Sequence, residues 1–286
     1  MRGASVDFMT HIVKRPFPRD VTVGLLELIT SKLLAVPHGF ATREGGVSTG
    51  AFASLNAGGA VGDDPASVEM NLDLLAAAAR VERDRLFGVS QVHGDQVVEA
   101  PVAASVEADA IWSGREGDGV GIRTADCVPL LLVDPRGRRV AAVHAGWKGT
   151  LSEIAARTVE ALARAGTSPA DLRAAIGPAI GPCCYAVGEE LVARFTERFP
   201  AEVCVRRTPG PFLDLPLAVR TTLIRAGVPA SQIDALGLCT ACDPRFFSHR
   251  RDKGRTGRHF SFVSCRFEAA QARGPAAAVR RGTTAL

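Results

Sequence analysis

The chain lacks the features that mark membrane and secreted proteins. Its longest apolar runs, such as Val128–Val133, are far shorter than the roughly 20 residues that span a bilayer. Its N-terminal stretch has no apolar core followed by a small-residue cleavage site, as a signal peptide would. Its 7 cysteines follow no regular spacing, which disfavours a disulfide framework. We therefore expect a cytoplasmic protein with reduced thiols and no membrane partner.

Tyrosine, tryptophan and net charge are scarce as well. The 286 residues include 1 Tyr and 2 Trp, and the formal net charge of +4 is too small to predict a nucleic-acid partner. A hydrophobic content of 47% supports a substantial core. Because no linker, repeat or charge block divides the chain, we expect one domain over residues 21–268. A loosely ordered leader over 1–20 would precede it, and a flexible Ala/Arg-rich tail over 269–286 would follow.

Four helices are predicted from capping residues and from apolar residues at helical spacing. Asp64-Pro65 indicates an N-cap followed by a proline at the first helical position. Residues 150–153, Thr-Leu-Ser-Glu, have the pattern of a capping box that would begin a second helix. Gly166 would end that helix. Two further helices are expected at about 189–199 and 215–226.

Strands are predicted between these helices. Val128–Val133 and Arg139–His144 flank a turn containing Pro and Gly, which indicates an antiparallel hairpin. The hairpin would place Cys127 beside the histidine that ends the second strand. Ala174–Ile176 and Ile233–Leu238 also have strand character. Since helices and strands do not alternate strictly, we expect an α+β fold with a mixed central sheet.

Three strand-like stretches end in a residue that can bind a soft metal, namely His93, Cys127 and His144. Two imidazoles and one thiolate match a catalytic zinc site, which has three protein ligands and one open position. Taken singly, each residue could instead be a hydrogen-bonded core histidine or a packed cysteine. Small neighbours would allow a ligand to approach closely. They are Gly94, Ala125, Ala145 and Gly146.

Copper is a weaker alternative to zinc. A multicopper oxidase needs many imidazoles, and two of the 6 histidines already belong to the trio of His93, Cys127 and His144. A blue-copper site would add a weak axial methionine, for which the 3 methionines are poorly placed. The histidines are His11, His38, His93, His144, His249 and His259, and the methionines are Met1, Met9 and Met70.

A series of longer motifs resembles the family known as YfiH-like proteins, laccase-domain proteins or peptidoglycan editing factors. The resemblance covers about residues 36–260 and lies in the following motifs: His38-Gly39-Phe40, Thr42–Ser48, Ser54-Leu55-Asn56, Gln91–Gly94, Thr124–Pro129, His144–Thr150, Ile176–Tyr185, Leu238-Cys239-Thr240, Phe246-Phe247-Ser248, Arg250-Arg251-Asp252 and Thr256-Gly257-Arg258. It implies a compact fold of α/β/β layers related to a toxin deamidase. It also implies that His93, Cys127 and His144 bind zinc.

The same resemblance implies several activities. The first is a zinc-dependent purine nucleoside phosphorylase acting on adenosine, inosine, guanosine and methylthioadenosine with phosphate, together with adenosine deaminase activity. A second is an amidase that edits peptidoglycan precursors, in which Cys127 would be the nucleophile and His144 its base. Polyphenol oxidase activity and a non-catalytic zinc-binding partner rank below these two. The sequence predicts no oligomeric state.

A phosphorylase needs groups that bind phosphate and ribose. Arg43, beside Gly45 and Gly46, suits an oxyanion, although a surface arginine would look the same. Lys148 precedes a predicted helix N-terminus and stands where many relatives carry Arg, so bidentate binding is lost there. Asn56 could bind ribose or form an Asx turn.

Other polar residues are assigned less specific roles. Asp126, if it lies in a strand, should point away from Cys127 and act indirectly. Cys239-x-x-Cys242 is interpreted as packing, because no second such pair accompanies it. His249 stands where relatives often carry Tyr. Arg250, Arg251 and Arg258 could line a site for an acidic ligand or form a solvated face.

Overall fold

The strands assemble into two six-stranded sheets and one small hairpin. A computed structural model describes residues 7–11, of which only the backbone is considered, and residues 26–266. The strands within these ranges are β1 Asp7–His11, β2 Leu26–Thr30, β3 His38–Ala41, β4 Leu86–Phe87, β5 Val97–Glu99, β6 Ala110–Ser113, β7 Gly119–Thr124, β8 Val128–Val133, β9 Val140–Ala145, β10 Arg173–Ile176, β11 Cys204–Arg207, β12 Gly210–Leu213, β13 Ile233–Ala235 and β14 His259–Ser264. The helices are α1 Pro65–Ala79, α2 Trp147–Leu151, α3 Ile154–Arg164, α4 Glu189–Thr196 and α5 Leu215–Arg225. Among the described residues, no helix has the length and apolar character needed to cross a membrane.

Both large sheets are mixed. Sheet 1 has the order β1-β2-β3-β14-β7-β4, and only its β4–β7 pair is parallel. Sheet 2 has the order β13-β10-β8-β9-β6-β5, with parallel pairs at both edges. The α+β prediction is confirmed. The single central sheet that we expected is replaced by two sheets.

Strand β8 shows how the two sheets share a core. Its side chains alternate, as they must on a pleated strand. Leu130 and Leu132 pack with residues of α3 and α5, whereas Leu131 and Val133 pack with residues of sheet 1. Because both faces are covered, all six residues of β8 are buried. Helix α1 covers the outer face of sheet 1, which adds a helical layer to the α/β/β arrangement.

The helix predictions are confirmed in position, but one cap is wrong. Asp64 caps α1 through its carboxylate, which accepts the Ser67 N–H at 3.0 Å. Thr150 lies inside α2 instead of preceding a helix, and its hydroxyl has no hydrogen-bond partner among the described residues. Glu153 adopts a left-handed conformation, φ 59°, that separates α2 from α3. Gly166, φ 97°, ends α3 as predicted.

The hairpin prediction is confirmed, and the N-terminal prediction is modified. Strands β8 and β9 pair antiparallel with Pro129 opposite His144. Strand β1 forms within the stretch that we expected to be loosely ordered, and it pairs with β2. The predicted tail over 269–286 lies outside the described residues, and the domain limits remain a prediction. Strand β13 ends at Ala235, three residues earlier than Leu238.

Candidate metal centre

The chain passes from sheet 1 to sheet 2 next to the predicted metal ligands. Residues Ala125, Asp126 and Cys127 connect the end of β7 to the start of β8. Cys127 therefore lies at one end of β8, and His144 lies near the facing end of β9. Alternation along β9 directs Val143 and Ala145 toward the helices, so His144 faces the other way, toward sheet 1. The two predicted ligands are neighbours, as expected.

A buried carboxylate positions His144. Asp109 lies directly before β6, and its carbonyl oxygen accepts the His144 N–H at 2.7 Å. Its side-chain Oδ1 lies 2.7 Å from His144 Nδ1, and the side chains are 0% and 3% exposed. When Nδ1–H donates to Asp109, Nε2 is the ring nitrogen that can bind a metal.

The same carboxylate holds the loop that carries His93. The N–H groups of Val92, His93 and Gly94 all donate to Asp109, at 3.3, 2.9 and 2.6 Å. His93 has φ 61°, a left-handed conformation that is uncommon outside glycine. His93 was expected at the end of a strand. Instead β4 ends at Phe87 and His93 lies in the following loop, because the Asp109 carboxylate provides the hydrogen bonds that a sheet would have supplied.

The structure brings all three predicted ligands together. The ligand atoms of His93, Cys127 and His144 lie within 4.8 Å of one another. Burial alone would raise the pKa of the Cys127 thiol, but His144 and His93 outweigh burial and lower that pKa to about 6. Burial would lower the pKa of His144, whereas Cys127 and Asp109 raise it to about 9. The thiolate form that a metal requires is therefore favoured near neutral pH.

Two glycines make room for the trio. A Cβ atom on Gly146 would lie 3.0 Å from His93 Cδ2 and 3.3 Å from Cys127 Sγ. A Cβ atom on Gly149 would lie 2.8 Å from the carbonyl oxygen of Gly94. The prediction that small residues allow close approach at this site therefore has a direct steric basis at Gly146.

The trio lines a cavity of about 720 Å³. Three arginines, Arg123, Arg250 and Arg258, line the same cavity, as do Tyr185 and His249. The guanidinium groups are held by main-chain oxygens: Arg123 Nε donates to Ala57, Arg250 Nη1 to Ala186, and Arg258 Nη1 to Thr256 and Gly257. A metal-binding trio and a set of cations therefore share one cavity.

Three other sequence-predicted residues do not line this cavity. Arg43 donates from Nε to the Ala53 carbonyl at 2.6 Å and lies over the Phe247 ring. Asn56 is fully buried. Its side-chain NH2 group donates to the Gly58 carbonyl and the Asp63 carboxylate, and its Oδ1 accepts the N–H groups of Gly58 and Arg258. Lys148 is exposed, with its ammonium over the Trp147 ring. The Asx-turn alternative thus describes Asn56, which positions Gly58 and Arg258.

The sequence left two alternative roles for Arg250, Arg251 and Arg258, and the structure distinguishes them. Arg250 and Arg258 reach the cavity, whereas Arg251 is occupied by Asp252 and by main-chain oxygens of Thr240, Asp243 and Phe246. Asp126 is not in a strand and has φ 94°, so the argument from strand alternation does not apply to it. Its carboxylate accepts the Thr240 hydroxyl and the Arg250 N–H, both at 2.6 Å.

No role was predicted from the sequence for Asp109, Arg123 or Gln91, although Gln91 begins the motif Gln91–Gly94. Asp109 is a lone carboxylate in the apolar run Ala108–Ile111, which is a signal that could have marked it, since buried charges are usually paired. Gln91 clamps the main chain of Arg123 through two bonds of 2.7 Å. That pairing joins residues 32 apart and has no local signal in the sequence.

The donor set provides fewer imidazoles than a multicopper cluster needs. Imidazole and thiolate donors are ordinary zinc ligands. Two other histidines are committed elsewhere: His38 accepts the Ser31 N–H, and His259 accepts the Phe247 N–H. Among the described residues the trio therefore gains no further imidazole within 4.8 Å.

Comparisons with known proteins place the chain in a family. The family model described as multi-copper polyphenol oxidoreductase laccase matches residues 37–266. A protein of Deinococcus radiodurans named purine nucleoside phosphorylase is 42% identical over 243 residues, which covers 85% of this chain and 94% of that protein. Purine nucleoside phosphorylase YlmD of Geobacillus stearothermophilus is 38% identical over 247 residues, covering 80% of this chain and 90% of that protein.

A solved structure agrees with these matches. The crystal structure of the Bacillus licheniformis hypothetical protein YfiH has a TM-score of 0.78 and 34% identity, and the match covers 88% of this chain and all of that one. The fold and the motif series therefore agree with the resemblance found in the sequence. The chain belongs to the YfiH-like, laccase-domain family.

Proposed function

We propose that this protein is a zinc-dependent purine nucleoside phosphorylase that also deaminates adenosine. The observation that carries the proposal is the shared cavity, in which His93, Cys127 and His144 lie with three arginines. Phosphorolysis requires a phosphate anion bound beside the glycosidic bond, and this cavity places cationic side chains next to the predicted metal ligands. The names of the Deinococcus and Geobacillus relatives support the choice of substrate.

His93, Cys127 and His144 would hold the zinc ion, and Asp109 would orient His144. Zinc held there would supply Lewis acidity, which serves glycosidic cleavage and deamination alike. All three residues converge within 4.8 Å, and three protein ligands leave a position open.

The arginines of the cavity would bind phosphate in place of the residues expected from the sequence. Arg258 and Arg250 each present a guanidinium group with several N–H donors. Burial lowers the pKa of Arg258, which marks a partly desolvated guanidinium that gains from an anionic ligand. Phosphate would replace the purine at C1 of the ribose, and the products would be the free base and ribose 1-phosphate.

Tyr185 and His249 would contact the nucleoside. Burial, followed by the nearby Cys127 charge, raises the pKa of Tyr185 to about 12, so its hydroxyl stays protonated and can donate a hydrogen bond. Arg250 lies over the Tyr185 ring at 5.1 Å. His249 is exposed at the cavity and offers a flat ring for stacking on a purine.

The experiment is a phosphate-dependence assay with inosine and adenosine, in which free base and ribose 1-phosphate are measured. Arg258→Gln should lower the use of phosphate roughly ten- to a hundredfold, since losing a charged hydrogen-bond partner costs about 1.5–3 kcal/mol. Lys148→Gln should change it little, because Lys148 lies outside the cavity. A larger loss in Lys148→Gln than in Arg258→Gln would instead assign phosphate binding to Lys148, as the sequence predicts. Turnover that is equal without phosphate and yields free ribose would indicate a hydrolase.

One specific feature favours the amidase as a second candidate. Cys127, His144 and Asp109 have the order of a nucleophile, a base and a residue that orients the base. The same arrangement describes a zinc ligand set whose histidine is oriented by a carboxylate. The two candidates differ in the role of Cys127, and a substitution at that residue separates them.

A further inference from the structure

Four other cysteines form a cluster that the proposed function does not use. The Sγ atoms of Cys183, Cys184, Cys239 and Cys242 all lie within 4.8 Å of one another. None of the four lines the 720 Å³ cavity. From the sequence alone, Cys239-x-x-Cys242 is interpreted as packing, because no second such pair accompanies it. The fold supplies that pair as two adjacent cysteines from a distant loop.

The spacing of the sulfur atoms suits one metal ion. Four thiolates around a tetrahedral zinc ion, each about 2.3 Å from it, lie about 3.8 Å apart. Cys242 Sγ lies 3.4 Å from Cys183 Sγ and 3.3 Å from Cys184 Sγ. These separations are far longer than the roughly 2.05 Å of a disulfide bond, and all four cysteines are free.

The main chain around Cys239 is arranged to bind a thiolate. The Gly181 N–H donates to Cys239 Sγ at 3.3 Å. Hydrogen bonds of this kind stabilise the charged form of the sulfur.

The thiols of Cys183 and Cys184 are harder to ionise than a free cysteine. Burial and the neighbouring thiols raise the pKa of Cys184 to about 11 and raise that of Cys183 too. A divalent ion would offset that cost, because metal binding and thiol deprotonation are coupled. Cys183 and Cys242 are exposed, so an ion can reach the cluster from solvent.

We propose that Cys183, Cys184, Cys239 and Cys242 form a second zinc site, which is structural. Four protein ligands complete a tetrahedral shell and leave no position for substrate, in contrast to the trio. The ligands come from two segments that already meet at the Ala179–Cys239 bridge and through the Thr240 N–H bond to Ala179.

The second site would fix one wall of the cavity. Its first segment continues to Tyr185, which lines the cavity, and its second continues to His249 and Arg250. Arg250 also donates to the Ala186 carbonyl at 2.9 Å, so the two segments meet again on the cavity side of the cluster. A metal ion joining the two segments would fix the positions of Tyr185 and Arg250 relative to each other.

The test is zinc analysis of full-length protein purified without added metal. The wild type should carry about two zinc ions per chain, counting both sites. A His93→Ala/His144→Ala variant should keep about one, because the cysteine cluster remains. Cys239→Ser and Cys184→Ser should each lose that ion and lower Tm. Cys204→Ser is the matched control, since Cys204 lies outside the cluster, and it should keep the wild-type content.

Cobalt substitution gives a second measurement that does not depend on activity. Thiolate-to-cobalt absorption should be strong in the His93→Ala/His144→Ala variant, which keeps four thiolates at one site. The inference is overturned if that variant holds no zinc, or if Cys239→Ser and Cys184→Ser retain the wild-type content. It is also overturned if intact mass and peptide mapping of freshly purified protein show a disulfide within the cluster. Failure of the phosphorylase assay would leave these outcomes unchanged.

Discussion

Asp109 and His144 form a buried carboxylate–imidazole pair, with Oδ1 2.7 Å from Nδ1. The same carboxylate accepts three successive main-chain N–H groups from the His93 loop. Burial would raise the pKa of Asp109, but these bonds and His144 lower it, so the group is ionised. One side chain thus orients two of the three proposed zinc ligands.

Replacing Asp109 with Asn should therefore weaken metal binding without removing a ligand. An amide presents an NH2 group in place of one carboxylate oxygen, so the Val92 and Gly94 N–H groups, which donate to Oδ2, would face another donor. We expect about a 10- to 100-fold loss of zinc affinity, measured by competition with a chromophoric chelator. Asp95→Asn is the matched control, because Asp95 pairs with Arg157 at the surface. Equal affinity in Asp109→Asn and the wild type would contradict the role given to this carboxylate.

Gly146→Ala should disturb the trio by steric contact. The added Cβ atom would lie 3.0 Å from His93 Cδ2 and 3.3 Å from Cys127 Sγ. We expect lower zinc content and slower nucleoside turnover. Gly59→Ala provides the control, since Gly59 lines the same cavity and its added Cβ would meet nothing within 4 Å. If both variants behave alike, crowding at the trio is not the cause.

The sequence predicts the parts of this molecule that depend on local pattern. The hairpin that places Cys127 beside His144 follows from two apolar runs and a turn. The cap of α1 follows from Asp64-Pro65. The false capping box at Thr150 shows the limit of such patterns, since tertiary packing buried that residue within α2.

The remaining features of the site depend on contacts between distant residues. Arg258 reaches the cavity because Asn56, 202 residues away, accepts its main-chain N–H. Arg43 looked suited to phosphate on local grounds, but its guanidinium is bound to Ala53 and stacked on Phe247. The four-cysteine cluster likewise joins Cys184 and Cys242 across 58 residues. The spacing of residues along the chain does not predict contacts between such distant segments.

His259 should make the folded protein less stable in mild acid. Burial, followed by the nearby cations of Arg43, Arg258 and Arg251, lowers its pKa to about 3 from 6.5 despite a bond to Thr124. Between these values the unfolded chain binds a proton that the folded chain does not. Stability contributed by the neutral ring is therefore present above pH 6.5 and is lost as the pH falls, by about 1.4 kcal/mol per pH unit at most.

The measurement is urea unfolding of the wild type and His259→Gln between pH 7 and 4.5. Glutamine can still accept the Phe247 N–H but does not titrate, so its stability should fall less steeply, by about 2.5 kcal/mol over this range. His249→Gln should follow the wild type, because that ring is exposed in the folded protein. Parallel curves for the wild type and His259→Gln would contradict the burial of a neutral imidazole.

Cys127→Asp separates a metal ligand from a nucleophile. A carboxylate binds zinc at a similar bond length, although it is a harder donor than a thiolate. If Cys127 is a ligand, the variant should keep measurable zinc at the trio and part of the phosphorolysis rate. Zinc should be counted in a Cys239→Ser background, so that the second cluster does not contribute.

Cys127→Ala serves as the comparison, since it can neither bind zinc nor attack a substrate, and it should lose both metal and activity. The nucleophile hypothesis makes a different prediction. It requires that Cys127 form a thioester with an amide substrate, which adds the acyl mass to the intact protein. Such an adduct, trapped on the wild type with a cell-wall dipeptide precursor and mapped to Cys127, would replace the phosphorylase proposal by the amidase. We expect no adduct, because a thiolate that donates to zinc is a poor nucleophile toward amides.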